Sequence, residues 1–205
     1  MAISLVTVGG KITAAIQNAI IGQVNAQGLT GVVPTSVAGT GVALGANGKV
    51  TFTAATSISV NTAFTATYDH YFLLLDCPTI ATAANLLLRL RAAGTDLSTS
   101  SYGYGGTSNT ATASSVSTGI TTGFYLTRNP VGAIQASGVV EVFAPQLAVV
   151  KRIHSKVMTT NSTYITADTV GGNNNSSIAY DGFTLVNDGG FAMTGTLRIY
   201  GRNNN

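Results

Sequence analysis

The hydrophobic pattern of the chain changes period once. Over residues 11–28, KITAAIQNAIIGQVNAQG, the apolar residues Ile12, Ala15, Ile16, Ala19, Ile20 and Val24 recur at helical spacing and form one stripe. Gly10 stands just before the stretch, and Gly28 sits where a helix usually stops. Gln17, Asn18, Gln23 and Asn25 fill the opposite face without charge. A helix of about four turns is marginal alone and needs a surface to lie against. That surface is its own domain, a bundle of copies, which Ala15, Ala19 and Gly22 would let approach closely, or a virion-like or cellular partner into which the helix plugs. Ile12, Ile16, Ala19, Ile20 and Val24 are therefore the expected attachment or oligomerisation residues.

Residues 29–49, LTGVVPTSVAGTGVALGANGK, mix Gly, Thr and Val around one proline and read as an extended arm with short edge strands. From residue 50 onward the period is two. Strands are expected at 50–53, 57–60, 71–77, 85–92, 123–127, 138–144, 151–159, 164–169, 178–186 and 192–200, with turn signals at 92–96, 129–130 and 187–190 between them. Short strands without helical interruption predict an all-β fold, a jelly-roll-like antiparallel sandwich preceded by the helix and arm. The expected division is an attachment segment, 1–49, and a sandwich head, 50–205.

Alternation assigns faces. Leu86, Leu88 and Leu90 oppose Leu87, Arg89 and Arg91; Val140 and Val142 oppose Val139, Glu141 and Phe143; Leu197 and Ile199 oppose Arg198, Tyr200 and Arg202. Glu141, the only glutamate, is expected to pair across strands with Arg89, Arg91 or Arg198. In YFLLLDC, residues 71–77, both faces are apolar, so both need covering. The second cover would be the 29–49 arm or, preferably, a neighbouring subunit. Residues 94–122 lack periodicity and read as a long loop presenting Tyr102 and Tyr104 in a Gly/Ser context, a candidate glycan or partner contact.

Composition narrows the function classes. Charged residues make up 8% of the chain, against about 25% in ordinary soluble domains. A surface this poor in charge and rich in hydroxyls suits packing against copies or a larger assembly. Ten basic and seven acidic residues give a net charge of +3 without a cluster dense enough to track phosphates, so nucleic acid is not an expected partner. No apolar run reaches the length of a membrane helix, and the N-terminus lacks the basic start of a signal peptide. Cys77 is the single cysteine and reads as a small buried apolar residue, compatible with assembly in a reducing cytoplasm.

Candidate chemistry is sparse. Asp69, Asp76, Asp96, Asp168, Asp181, Asp188 and Glu141 are the whole carboxylate inventory, and most sit where aspartate stabilises turns. Asp69 and His70 are sequence neighbours, but adjacent strand residues face opposite ways and cannot easily share a substrate. His154 lies in KRIHSK with Arg152 and Lys156 on one face, a solvated basic edge or a contact for an acidic partner. No nucleophile elbow, dinucleotide fingerprint or P-loop is present, and two scattered histidines do not make a metal site unless symmetry brings copies together. No catalytic residue, metal or cofactor is expected.

Three stretches carry a resemblance. ITAAIQNAIIGQVNAQGL is similar to an N-terminal attachment helix, NTAFTATYDHYFLLLD with NLLLRLRAAGTD resembles a first long jelly-roll strand and its successor, and YDGFTLVNDGGFAMTGTLRIYGR resembles a closing hairpin. Together they resemble bacteriophage virion surface proteins, especially those of actinobacterial phages. The resemblance implies a homotrimer with a jelly-roll head, attached to capsid or tail proteins on the virion surface after assembly in the bacterial cytoplasm. It transfers no catalytic residue. Capsid decoration or a head fibre is the expected role; the alternative is a minor tail or short tail-fibre protein that binds a host-surface glycan.

Overall fold

The computed structural model describes residues 28–82, 84–110, 113–128, 134–160 and 165–202. The expected helix, with Ile12, Ile16, Ala19, Ile20 and Val24, lies outside the described residues. In chain order the strands are β1 (Thr30–Val32), β2 (Ser36–Ala38), β3 (Val42–Leu44), β4 (Val50–Ala55), β5 (Ser57–Asn61), β6 (His70–Ile80), β7 (Leu86–Ala92) and β8 (Thr95–Asp96). They continue as β9 (Tyr102–Thr110), β10 (Ser114–Thr121), β11 (Phe124–Tyr125), β12 (Ile134–Phe143), β13 (Lys151–Thr160), β14 (Ile165–Asn174), β15 (Gly182–Asn187) and β16 (Met193–Arg202). The described chain is all-β, and every pairing in it is antiparallel.

The strands form two sheets. The larger runs β10-β9-β14-β13-β12-β6-β16-β4-β3, with β1 also on β16; the smaller runs β11-β7-β15-β5-β2, with β8 on β7. Residues 29–49 divide between the sheets, since β1 pairs with β16, β2 with β5 and β3 with β4. The arm therefore trims the edges of the head.

Period-two patterning places the core. Tyr71, Leu73, Leu75, Val140, Val142, Ile153, Val157, Leu197 and Ile199 of the large sheet are buried with Ile58, Val60, Leu86, Leu88, Leu90, Phe183 and Leu185 of the small one. The turn expected at 92–96 forms through Ala93 (φ 48°) and Gly94 (φ 78°), the left-handed pair of a tight hairpin between β7 and β8.

The 94–122 loop is a correction. Residues 102–110 and 114–121 are the paired strands β9 and β10 of a long hairpin, and they lengthen the large sheet. Its alternation is invisible as hydrophobicity because Gly103, Gly105, Gly106, Ser108, Ser115, Ser117 and Gly119 occupy positions where a strand usually shows large side chains.

Cys77 is buried on the core side of β6, its Sγ 3.4 Å from the Thr79 carbonyl oxygen, and burial pushes its thiol up to about 11. A disulfide reagent at pH 8 should leave native protein unmodified and label one thiol after unfolding in guanidinium. Prompt labelling of native protein would contradict this placement.

Candidate functional site

β6 occupies the middle of the large sheet, between β12 and β16. Its core face carries Tyr71, Leu73, Leu75 and Cys77, whereas Phe72 is half-buried and Leu74 is 45% exposed on the outer face. The two-sided apolar strand thus has one face in the core and one on an open sheet surface, and β1, β2 and β3 are engaged at sheet edges. Tyr71 is tied inward, its hydroxyl accepting from the Thr65 N–H (2.7 Å) and donating to the Thr65 carbonyl (2.8 Å).

The outer surface is set by register. His70, Phe72 and Leu74 align with Phe143, Glu141 and Val139 of β12 and with Arg202, Tyr200 and Arg198 of β16. One strand further, Arg152, His154 and Lys156 align with Phe143, Glu141 and Val139. The His70 ring stacks on Phe143 (centroids 4.1 Å apart, 24° between planes) and packs against Phe72 at 4.4 Å. Glu141 stands between two imidazoles, with Oε2 3.3 Å from His70 Nε2 and Oε1 3.6 Å from His154 Nδ1. Glu141 therefore takes histidine partners, not the arginines expected from its strand position: Arg91 is bound to Asp96, and Arg89 donates to the Thr122 carbonyl. Arg152 and Lys156 of KRIHSK are exposed and His154 is half-buried, the solvated basic face expected, but that face is not at an edge. β13 is an interior strand, not an edge. Lys151 turns into the core, donating to the carbonyls of Leu147 and Val149 beside the Tyr180 ring.

Burial holds His70 below its ordinary value near 6.5, opposed by Glu141 and helped by the Arg202 charge. As pH falls through 6.5 the unfolded chain takes up a proton before the folded one does, so stability declines with acidification until the folded pKa is passed. His154 lies on the other side of Glu141 from His70. His70→Gln should flatten this part of the urea-midpoint profile between about pH 7.5 and 5. Parallel profiles for variant and parent would contradict it.

The glycines of the β9–β10 hairpin shape a second feature. A shallow, open depression of about 530 Å³ is lined by Gly103, Tyr104, Gly105, Thr118, Ile120 and Asn173, among others. Gly171 beside it has no atom within 4 Å of where a Cβ would stand. The candidate tyrosines do not both reach this surface. Tyr102 is fully buried, its hydroxyl accepting from Leu90 N–H (2.8 Å) and donating to the Leu97 carbonyl (3.0 Å), and burial raises its pKa. A glycan contact through Tyr102 is therefore excluded. Tyr104 is half-buried, edge-on to Tyr125 at 4.9 Å and under the Arg128 guanidinium at 5.3 Å.

Other polar clusters bind elements together. Arg91 reaches Asn61, Ser59, Asp96, Thr184 and the Gly94 carbonyl, joining β5, β7, β8 and β15. Asp168 is buried on β14, accepts from the Arg128 N–H at 3.2 Å, and is held above the usual carboxylate range by burial. Among the described residues no group of three or more His, Cys, Asp or Glu could hold a metal ion, and no helix is long and apolar enough to cross a membrane. Beside the His70–Glu141–His154 cluster, Phe72 and Phe143 pack against the His70 ring.

The chain matches no family model, no curated protein and no solved structure.

Proposed function

We propose that this protein is a non-enzymatic structural component of a bacteriophage particle, a trimeric capsid-decoration or head-fibre protein whose N-terminal region anchors a β-sandwich head. One observation carries the reading: among the described residues the large sheet presents an open outer face and, at β10, a long uncharged edge. Leu74, Val116, Ile120, Met158 and Ile165 are 45–75% exposed on it. Single exposed apolar residues are ordinary on a protein surface, so the reading leans on the open face and on the uncharged β10 edge. The resemblance in residues 12–29, 61–76, 85–96 and 180–202 supplies the phage context and the trimer. A jelly-roll connection of the head belongs to the same proposal, supported by the central position of β6 between β12 and β16.

Electron microscopy of particles labelled with an antibody to the head tests the location, and light scattering should report three times 20.8 kDa. Absence from particles, or a monomer with intact residues 1–27, would overturn the respective part.

The glycine-floored depression favours a second reading, a minor tail or short tail-fibre protein that binds a host-surface glycan. Thr118 and Asn173 offer polar anchors there, beside the apolar Ile120. Adsorption to host cells that Asn173→Ala abolishes would support it; equal adsorption by the variant would count against it.

A further inference from the structure

Sheet edges are where a β protein meets unintended partners, and natural edges are kept short, charged or proline-containing. Four of the strands that border the sheets obey the first of these: β2 and β3 have three residues each, β8 and β11 two. β10 does not. It ends the large sheet with eight residues, SSVSTGIT, carrying no charge and no proline, and its pairing with β9 shows no bulge.

The hydrogen-bond phase of this edge is fixed by the hairpin. Thr110 N–H donates to the Ala113 carbonyl at 2.8 Å, so 110 and 113 face each other as a hydrogen-bonded pair. Hydrogen-bonded pairs then alternate along the register, falling on Ser115, Ser117, Gly119 and Thr121 of β10. Val116, Thr118 and Ile120 point their N–H and C=O groups away from β9, and no described residue bonds to them. Their side chains share the outer face, with Val116 75% and Ile120 69% exposed.

We infer that β10 pairs antiparallel with β10 of a second copy about a two-fold axis through Thr118. In that register Thr118 faces Thr118, and Val116 of each copy faces Ile120 of the other. All three positions present outward backbone groups, so hydrogen-bond phase and apolar pairing agree in one register. A strand without charge brings no repulsion to its own copy. The pairing continues the large sheet from one molecule into the next. It does not require the virion reading; if the trimer proposed above holds, each trimer carries three such edges and joins its neighbours laterally. The interface is small, so it is weak for one pair and grows with the number of edges engaged.

Variants of the full chain with one added cysteine test the register, since Cys77 is buried. Facing residues of a hydrogen-bonded pair lie about 5.5 Å apart at Cα, within disulfide reach. Under mild oxidation at high protein concentration Thr118→Cys should give a covalent dimer. Val116→Cys and Ile120→Cys alone should not, because each would lie about 14 Å from its equivalent, yet an equimolar mixture of the two should cross-link. Adding Thr118→Pro to both partners of that mixture removes an outward N–H and should abolish the cross-link, with near-UV circular dichroism showing the head still folded. Cross-linking of Thr118→Cys no faster than Val116→Cys alone, or persistence with Thr118→Pro, overturns the inference. Neither result bears on whether the protein sits on particles.

Discussion

Gly138→Ala should destabilise the protein by about 3 kcal/mol, near the upper range for overpacking a tight interior. Gly138 lies on the core side of β12, between β6 and β13. A Cβ there would overlap the Lys156 carbonyl oxygen and stand 2.7 Å from the Val157 Cα. Both atoms belong to the neighbouring backbone, so no side chain can rotate away and relief requires moving β13. Gly171→Ala, also in the large sheet, is the matched control: its Cβ meets nothing within 4 Å. That change should stay within about 0.5 kcal/mol of the parent. Urea unfolding of both variants measures the difference, and equal midpoints would show that β12 and β13 are not packed as described.

Arg91→Leu should cost about 2–3 kcal/mol, less than the loss of a partner from a fully buried ion pair. The Arg91 side chain is 12% exposed and that of Asp96 26%. Removing one partner of a fully buried pair costs about 3–5 kcal/mol, and partial exposure reduces that through solvent screening. The loss is shared by more than one bond, because Asn61, Ser59 and Thr184 also accept from the guanidinium. Thr184 donates to Asp96 at 2.7 Å and would keep one contact to the carboxylate. Arg91→Leu with Asp96→Asn should therefore recover part of the loss, since the second change removes the stranded charge. Denaturant midpoints for the two singles and the double form the cycle that measures it. A single Arg91→Leu variant as stable as the parent would show that the network does not clamp β8 to the small sheet.

Strands with an aliphatic face are legible in the amino-acid sequence alone. Leu86, Leu88 and Leu90, Val140 and Val142, and Leu197 and Ile199 all point into the core as their alternation requires. The β9–β10 hairpin is not legible, because glycine and serine leave no hydrophobic period when backbone pairing, not side-chain burial, builds the strand. Tyr102 misleads for a related reason: Gly and Ser around it suggest a flexible display, yet its ring fills the core and its hydroxyl is satisfied by Leu90 and Leu97. Lys151 carries no signal either, since its charge is accommodated by two carbonyls of the 145–150 turn that no local pattern announces. The partners of Glu141 depend on which strands are neighbours. β12 lies against β6 and β13, not β7, and this brings His70 and His154 to the carboxylate. The outer face itself can be drawn from alternation, but its openness depends on residues 29–49 being taken up at the edges.

If the proposed particle location holds and the large sheet and its β10 edge form the assembly surface there, that surface meets neighbouring copies on the particle. Electron microscopy of intact particles carrying an antibody to the head would show whether it does. Density for the head is expected at regular positions on the particle surface, with the large sheet turned toward a neighbouring copy. Particles without the protein, or heads with that sheet and edge fully free, would contradict it.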